Sequence, residues 1–107
     1  MFGWFGSKQK SRRGYDEVND PTGGEGVEFF RAWSHNNELV VKLDAEMFDQ
    51  TSFAGVFLAD IARHYARAFV QSGRCETEAD ALAKIRAAFD AEWFEPTDQV
   101  RGEILKQ

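Results

Sequence analysis

The chain has few of the residues that build disulfides, metal sites or membrane spans. Its 107 residues include one cysteine, two histidines and two prolines. The lone Cys75 excludes an intramolecular disulfide, which fits a reducing compartment. The longest apolar runs are far shorter than the roughly 18 residues that a membrane-spanning helix requires. We therefore expect one small domain in the cytoplasm, with no metal and no cofactor.

Charge is unevenly distributed along the chain. Residues 1–13 contain four basic residues and no acid, whereas the remainder contains nine basic and 18 acidic residues. These parts carry +4 and −9, which sum to the net charge of −5. An acidic body does not suit binding to nucleic acid, so no nucleic-acid partner is expected for the domain.

Residues 1–26 predict a flexible aromatic and basic tail followed by a linker, because glycine and proline interrupt any regular pattern. Its apolar residues precede the bases, unlike those of a secretory signal. Aromatic residues beside a basic cluster are typical of a peripheral membrane anchor, and they also suit single-stranded nucleic acid or another partner. We favour a disordered tail, or a tail whose aromatic side chains dock on the domain. The side chains concerned are Phe2, Trp4, Phe5, Lys8, Lys10, Arg12 and Arg13.

Residues 27–34 and 39–43 predict a β-hairpin, because Asn36-Asn37 tolerates the positive φ of a tight turn. The preferred register pairs Ser34 with Leu39, Ala32 with Val41 and Phe30 with Leu43. A slip by one residue is less favourable, since it brings Arg31 onto the apolar face of the second strand.

The opposite face of this hairpin is also apolar. It contains Val27, Phe29, Trp33 and Val40. A ribbon that is apolar on both faces needs a second cover, which the tail, the C-terminus or another subunit could supply. We predict homodimerisation through Phe29, Trp33 and Val40, with an unknown protein partner as the alternative.

Two helices follow the hairpin. The first begins near Thr51 or Ser52 and ends at Gly73, which suits a left-handed residue. The second begins at the capping residue Thr77 and ends before Pro96. Helical periodicity predicts two buried stripes. They comprise Phe53, Phe57, Leu58, Ile61, Tyr65, Ala68 and Phe69 in the first helix, and Leu82, Ile85, Phe89 and Trp93 in the second.

The fold expected for residues 27–107 is therefore a single α+β domain. An antiparallel β-hairpin packs on two antiparallel α-helices, and the flexible N-terminal tail precedes them. The segment after Pro96 is compatible with one further short helix, which Gly102 weakens.

Asp60 and His64 lie four residues apart in the first helix, so their side chains are neighbours. A carboxylate can orient an imidazole and raise its basicity, which is half of a catalytic or metal site. Glu92 or His35 would have to supply the other half, because no nucleophile or ligand set accompanies the pair. We favour a structural hydrogen bond at the edge of the core and assign no catalytic residue and no metal.

Arg63 and Arg67 form a basic edge one turn apart on the same helix. They could grip an anionic ligand. We favour surface ion pairs with Asp90, Glu92 or Glu95 of the second helix.

Three segments together resemble the bacterial family of domain of unknown function 5076, found mainly in alphaproteobacteria. They are Arg31-Ala32-Trp33, residues 58–64 (LADIARH), and residues 89–93 (FDAEW) followed by Pro96-Thr97-Asp98. The resemblance covers roughly residues 27–98. It implies a small cytoplasmic protein and carries no activity, cofactor or catalytic residue.

Without a complete catalytic set, the sequence favours a non-enzymatic protein-interaction or adaptor module. A small enzyme or metal binder using Asp60 and His64 is the alternative from another class. A third interpretation is a membrane-peripheral protein anchored by residues 1–13.

Overall fold

A computed structural model of the chain describes residues 20–96. Strands β1 (Phe30–His35) and β2 (Glu38–Leu43) come first, followed by a 3-10 turn at Ala45–Met47. Helices α1 (Phe53–Gln71) and α2 (Glu78–Phe94) complete the described part. This content confirms the predicted α+β class. The chain divides between Met47 and Phe48 into a unit with the hairpin and a unit with the helices. The predicted flexible tail and linker comprise residues 1–26, of which residues 1–19 lie outside the described residues.

The hairpin has the register that the sequence predicts. Phe30 pairs with Leu43, Ala32 with Val41 and Ser34 with Leu39 in an antiparallel sheet of two strands. Asn36 and Asn37 have φ values of 52° and 65°, so both adopt the left-handed conformation of a two-residue hairpin turn. The alternation of side chains along the strands then puts Arg31, Trp33 and Val40 on one face.

A hydrogen-bonded turn precedes β1. The carboxylate of Asp20 accepts hydrogen bonds from the backbone N–H of Thr22 (2.8 Å) and of Gly24 (2.9 Å). The Thr22 hydroxyl oxygen in turn accepts from the N–H of Gly26 (2.8 Å). The hydrogen bonds that Asp20 accepts hold its pKa below the usual value. The largest cause is the hydrogen bond that the Thr22 hydroxyl group donates to the Asp20 carboxylate.

Helix α1 ends where the sequence predicts, at a glycine. Gly73 has φ +80°. The N–H of Arg74 donates to the carbonyl oxygen of Phe69 (2.8 Å), and the N–H of Gly73 donates to that of Val70 (3.1 Å). This pair of bonds is a Schellman motif, which requires a left-handed residue. At the other end, Ser52 is the N-cap residue, but its side chain makes no capping hydrogen bond.

Helix α2 has the cap predicted for it. The Thr77 hydroxyl oxygen accepts a hydrogen bond from the N–H of Asp80 at 3.0 Å. Glu78 and Asp80 in the first turn complement the positive end of the helix dipole. The last helical residue is Phe94, two residues before Pro96.

The two helices contact each other, and the residues that they bury completely are small. Among residues 20–96 only Ala66 of α1 and Ala81 of α2 are buried, with exposures of 0% and 1%. The predicted stripes of large buried residues are therefore wrong in part. Phe69, Leu82 and Ile85 are half-buried, as is Phe57, whose ring lies 5.9 Å from that of Phe48. The exposed members are Phe53, Leu58, Ile61, Tyr65, Ala68, Phe89 and Trp93.

The physical reason is the size of the residues at the contact. Alanine side chains let two helix backbones approach closely, so the surface that each helix shares with the other is narrow. Several larger residues beside that surface then stay exposed, among them Tyr65 and Trp93. None of the helices in the described part of the chain is both long and apolar enough to cross a membrane.

Candidate functional site: exposed apolar and charged surfaces

The Asp60 and His64 side chains are both exposed on α1. A carboxylate oxygen of Asp60 lies 4.0 Å from the Arg63 guanidinium, three residues further along the helix. Over residues 20–96 no group of three or more His, Cys, Asp and Glu side chains is arranged to hold a metal ion. Glu92 is half-buried and interacts with another group of the chain. The structural hydrogen bond favoured for Asp60 and His64, and the alternative of a chemical role, both stay predictions.

Arg63 and Arg67 form surface ion pairs, as expected, but with other partners. Arg63 faces Asp60, and the Nε atom of Arg67 lies 3.6 Å from a Glu78 carboxylate oxygen. Asp90 instead accepts hydrogen bonds from Nε of Arg86 on its own helix (2.9 and 3.0 Å). The pairs of Arg63 and Arg67 are long and exposed, so each contributes about 0–1 kcal/mol to stability. Both guanidinium groups remain accessible to a partner.

The face of the hairpin proposed from sequence as an interface is partly exposed. Trp33 is 44% exposed, while Phe29 and Val40 are half-buried. Phe29 has a further interaction within the chain. Within the paired strands, Trp33 is therefore the principal accessible apolar side chain of this face, and Val27, which precedes β1, is 70% exposed.

A salt bridge borders the same face. The Arg31 guanidinium donates to both carboxylate oxygens of Glu28, with Nε to Oε2 at 2.7 Å. This bidentate contact lowers the pKa of Glu28 and raises that of Arg31. Lys42 lies directly opposite Arg31 in the register, so Glu28 also offsets the repulsion between two like charges.

The second half of α2 exposes aromatic residues for which helical periodicity predicts a buried position. The rings of Phe89 and Trp93 stack one turn apart, with centroids 5.5 Å apart and planes at 20°. Trp93 is 66% exposed, and the adjacent Phe94 is 78% exposed. We call Phe89, Trp93 and Phe94 the aromatic end of α2.

One feature of the sequence indicates that this surface is exposed to solvent. Residues 87–95 contain three acids, Asp90, Glu92 and Glu95, and no base. Acidic residues on both sides of a stripe indicate that at least one of its edges faces solvent.

The tail residues 1–13 lie outside the described part, so their membrane role stays a prediction.

Comparison with known sequences identifies the family. The sequence model described as "Domain of unknown function (DUF5076)" matches residues 20–97. The chain belongs to the DUF5076 family. The match begins at Asp20, so it includes the hydrogen-bonded turn before β1, and it extends through both helices of the structure. The resemblance inferred from residues 27–98 is confirmed.

A solved structure from the photosynthetic bacterium Rhodopseudomonas palustrus CGA009 is similar to this chain. It is described as that of a "putative pyruvate dehydrogenase". The TM-score is 0.62 at 30% sequence identity, and the similarity covers 81% of this chain and 91% of that chain. The dehydrogenase description belongs to the neighbour and establishes no activity for the DUF5076 chain. No curated protein matches the chain.

Proposed function

We propose that this DUF5076 protein is a non-enzymatic protein-interaction module with an adaptor role. One observation carries the proposal. Large apolar side chains on both helices are exposed, while the residues buried between 20 and 96 are two alanines. Two helices that share so small a core gain little from burying each other, because apolar burial is the main term that opposes conformational entropy.

Exposed aromatic residues are also the groups from which interfaces draw most of their binding energy. Tryptophan and tyrosine are enriched among residues whose truncation weakens binding most. Trp33, Tyr65 and Trp93 are each at least 44% exposed. Covering them with a protein surface removes apolar area from water, which supports an interaction function over a catalytic one.

The hairpin is the first contact that we propose. Trp33 projects from the face that also carries Val40, and a second copy of the chain would place the same face against it. Such a contact is isologous, so each copy presents the same residues. The alternative occupant is a different protein.

Light scattering of the wild type and of the Trp33→Ser variant tests the hairpin contact. We expect the wild type to be dimeric or larger and Trp33→Ser to dissociate at higher concentration. Met47→Ser is the matched control, because Met47 is 43% exposed, close to the value for Trp33, and lies outside both strands. Equal masses for wild type and Trp33→Ser would reject the hairpin contact.

The broader proposal is tested by affinity capture from the protein's own cells, with partners identified by mass spectrometry. A monomer that captures nothing above the level of an unrelated acidic domain contradicts an interaction module. Zinc or another metal copurifying in stoichiometric amount with wild type, and lost in His64→Ala, would favour the enzyme or metal-binding alternative.

A further inference from the structure

A cavity lies within the helical unit, between the last turn of α1, the loop that follows it and the first half of α2. It has a volume of about 190 Å³ and is open to solvent. Its lining combines apolar side chains with two cations and one thiol, and no acidic residue of the described chain belongs to it. The lining residues are Phe69, Arg74, Cys75, Ala81, Lys84 and Ile85.

The chain reversal after α1 places two of these residues. Gly73 has φ +80°. The backbone N–H groups of Arg74 and Cys75 both donate to the carbonyl oxygen of Phe69, at 2.8 and 3.2 Å. The guanidinium carbon of Arg74 lies 5.1 Å from the centre of the Phe69 ring, a contact that holds this cation beside the cavity.

The charges around the cavity leave its two cations available to a ligand. Arg74 forms no ion pair with a carboxylate among residues 20–96. Lys84 lies 3.4 Å from Asp80 one turn earlier, and both side chains are exposed. Exposed pairs of this kind are weak, so Lys84 can exchange Asp80 for another anion. Glu76 and Glu78 are exposed, and neither lines the cavity.

We propose that this cavity binds a small organic anion, a carboxylate attached to an apolar group of about one ring. The carboxylate pairs with Arg74 and Lys84. The apolar group lies against Phe69, Ala81 and Ile85. This inference goes beyond the proposed interaction function and does not depend on it, because a single chain contains the whole site.

The size and chemistry of the cavity select this class of ligand. An apolar cavity of about 150 Å³ is sufficient for a benzene ring. The side chains of Phe69 and Ile85 are half-buried, so part of each is available to an apolar group. Small-molecule sites typically combine such apolar surface with a few polar groups that fix the orientation of the ligand. An inorganic anion would leave the apolar side chains uncovered.

Cys75 makes occupancy of the cavity measurable. It is the only cysteine of the chain, and it is half-buried in the cavity lining. Iodoacetamide alkylates a cysteine thiolate with loss of iodide, and a molecule that occupies the cavity shields the sulfur from this attack. Intact-mass spectrometry then follows one label per chain.

Benzoate is the probe for the proposed ligand class. The rate of Cys75 alkylation is measured over a benzoate series at constant pH and ionic strength. Benzamide supplies the ring without the charge, and inorganic phosphate supplies the charge without the ring. We expect benzoate to slow alkylation saturably by at least about threefold, and the other two compounds to change the rate by less than about 1.5-fold. No protection by benzoate, or equal protection by benzamide or phosphate, overturns the proposal.

Two variants test the cations. Arg74→Gln and Lys84→Gln each remove one charge from the lining. We expect each to raise the benzoate concentration for half-maximal protection by at least about fivefold. Arg86→Gln is the matched control, because Arg86 lies on the same helix as Lys84 but pairs with Asp90 and does not line the cavity. Undiminished protection in Arg74→Gln overturns the proposal.

Amide NMR of the wild type decides the question even if a variant fails to fold. Benzoate should shift the amide signals of Cys75, Ala81 and Ile85 saturably and leave that of Trp33 in place. Shifts confined to residues away from the cavity overturn the proposal. A monomeric chain that binds benzoate upholds this site while it rejects the hairpin self-contact. A dimer that ignores benzoate gives the opposite result.

Discussion

Trp33 of β1 lies directly opposite Val40 of β2 in the antiparallel register. Cross-strand pairs of an aromatic and a β-branched residue stabilise a sheet by roughly 0.2–1 kcal/mol. Trp33 nevertheless remains 44% exposed. The pair therefore both supports the strand register and presents an aromatic surface.

The turn that sets this register should depend on residue 37. Asn37 has φ 65°, and its buried side-chain oxygen Oδ1 has no hydrogen-bond partner. Its role is therefore conformational. We expect Asn37→Ala to lower the free energy of unfolding by about 1 kcal/mol, because a Cβ disfavours the left-handed region. Asn37→Gly should stay within about 0.5 kcal/mol of wild type in urea unfolding. Equal losses in both variants would contradict this.

The two helix starts give a matched comparison of capping. Thr77→Ala removes the acceptor for the N–H of Asp80, so we expect a loss of about 1 kcal/mol in the free energy of unfolding. Ser52→Ala removes a side chain that makes no capping bond and should cost less than about 0.3 kcal/mol. Thermal unfolding measures both, and Thr77→Ser should recover most of the loss. A larger effect at Ser52 than at Thr77 would show that the caps are assigned incorrectly.

The close approach of the helices should make Ala66 intolerant of larger residues. Ala66→Leu inserts volume at a fully buried position, which costs about 1–3 kcal/mol of stability. Ala83→Leu is the control, because Ala83 lies exposed on α2 and the same change there should stay within about 0.5 kcal/mol. Urea unfolding distinguishes them. Equal stability of the two variants would place the helix contact elsewhere.

The salt bridge between Glu28 and Arg31 of β1 should produce a measurable pH dependence. Arg31 holds the pKa of Glu28 below its usual value. A depressed carboxyl pKa stabilises the fold above the usual value of that group, and the contribution is lost as pH falls through the folded-state pKa. Carbonyl NMR titration of Glu28 should show the lowered value in wild type and a return toward normal in Arg31→Gln. Arg86→Gln should leave the Glu28 titration unchanged, since Arg86 pairs with Asp90.

The candidate site was only partly predictable from the sequence. Spacing made Asp60 and His64 neighbours, but Arg63 is the residue that the structure places against Asp60. Periodicity placed Phe89 and Trp93 in a buried stripe, and they are exposed. Helical spacing determines which residues share one side of a helix. It does not determine whether a neighbouring surface covers that side.

Local conformational preferences determined the hairpin register and the positive φ at Asn36 and Asn37. They also determined the end of α1 at Gly73 and the start of α2 at Thr77. Each depends on residues within a few positions along the chain, whose steric and hydrogen-bonding preferences the sequence alone expresses. The tertiary structure decided that Ala66 and Ala81 are the residues that the two helices bury among residues 20–96. That choice depends on how closely two backbones approach, and the aromatic end of α2 is exposed.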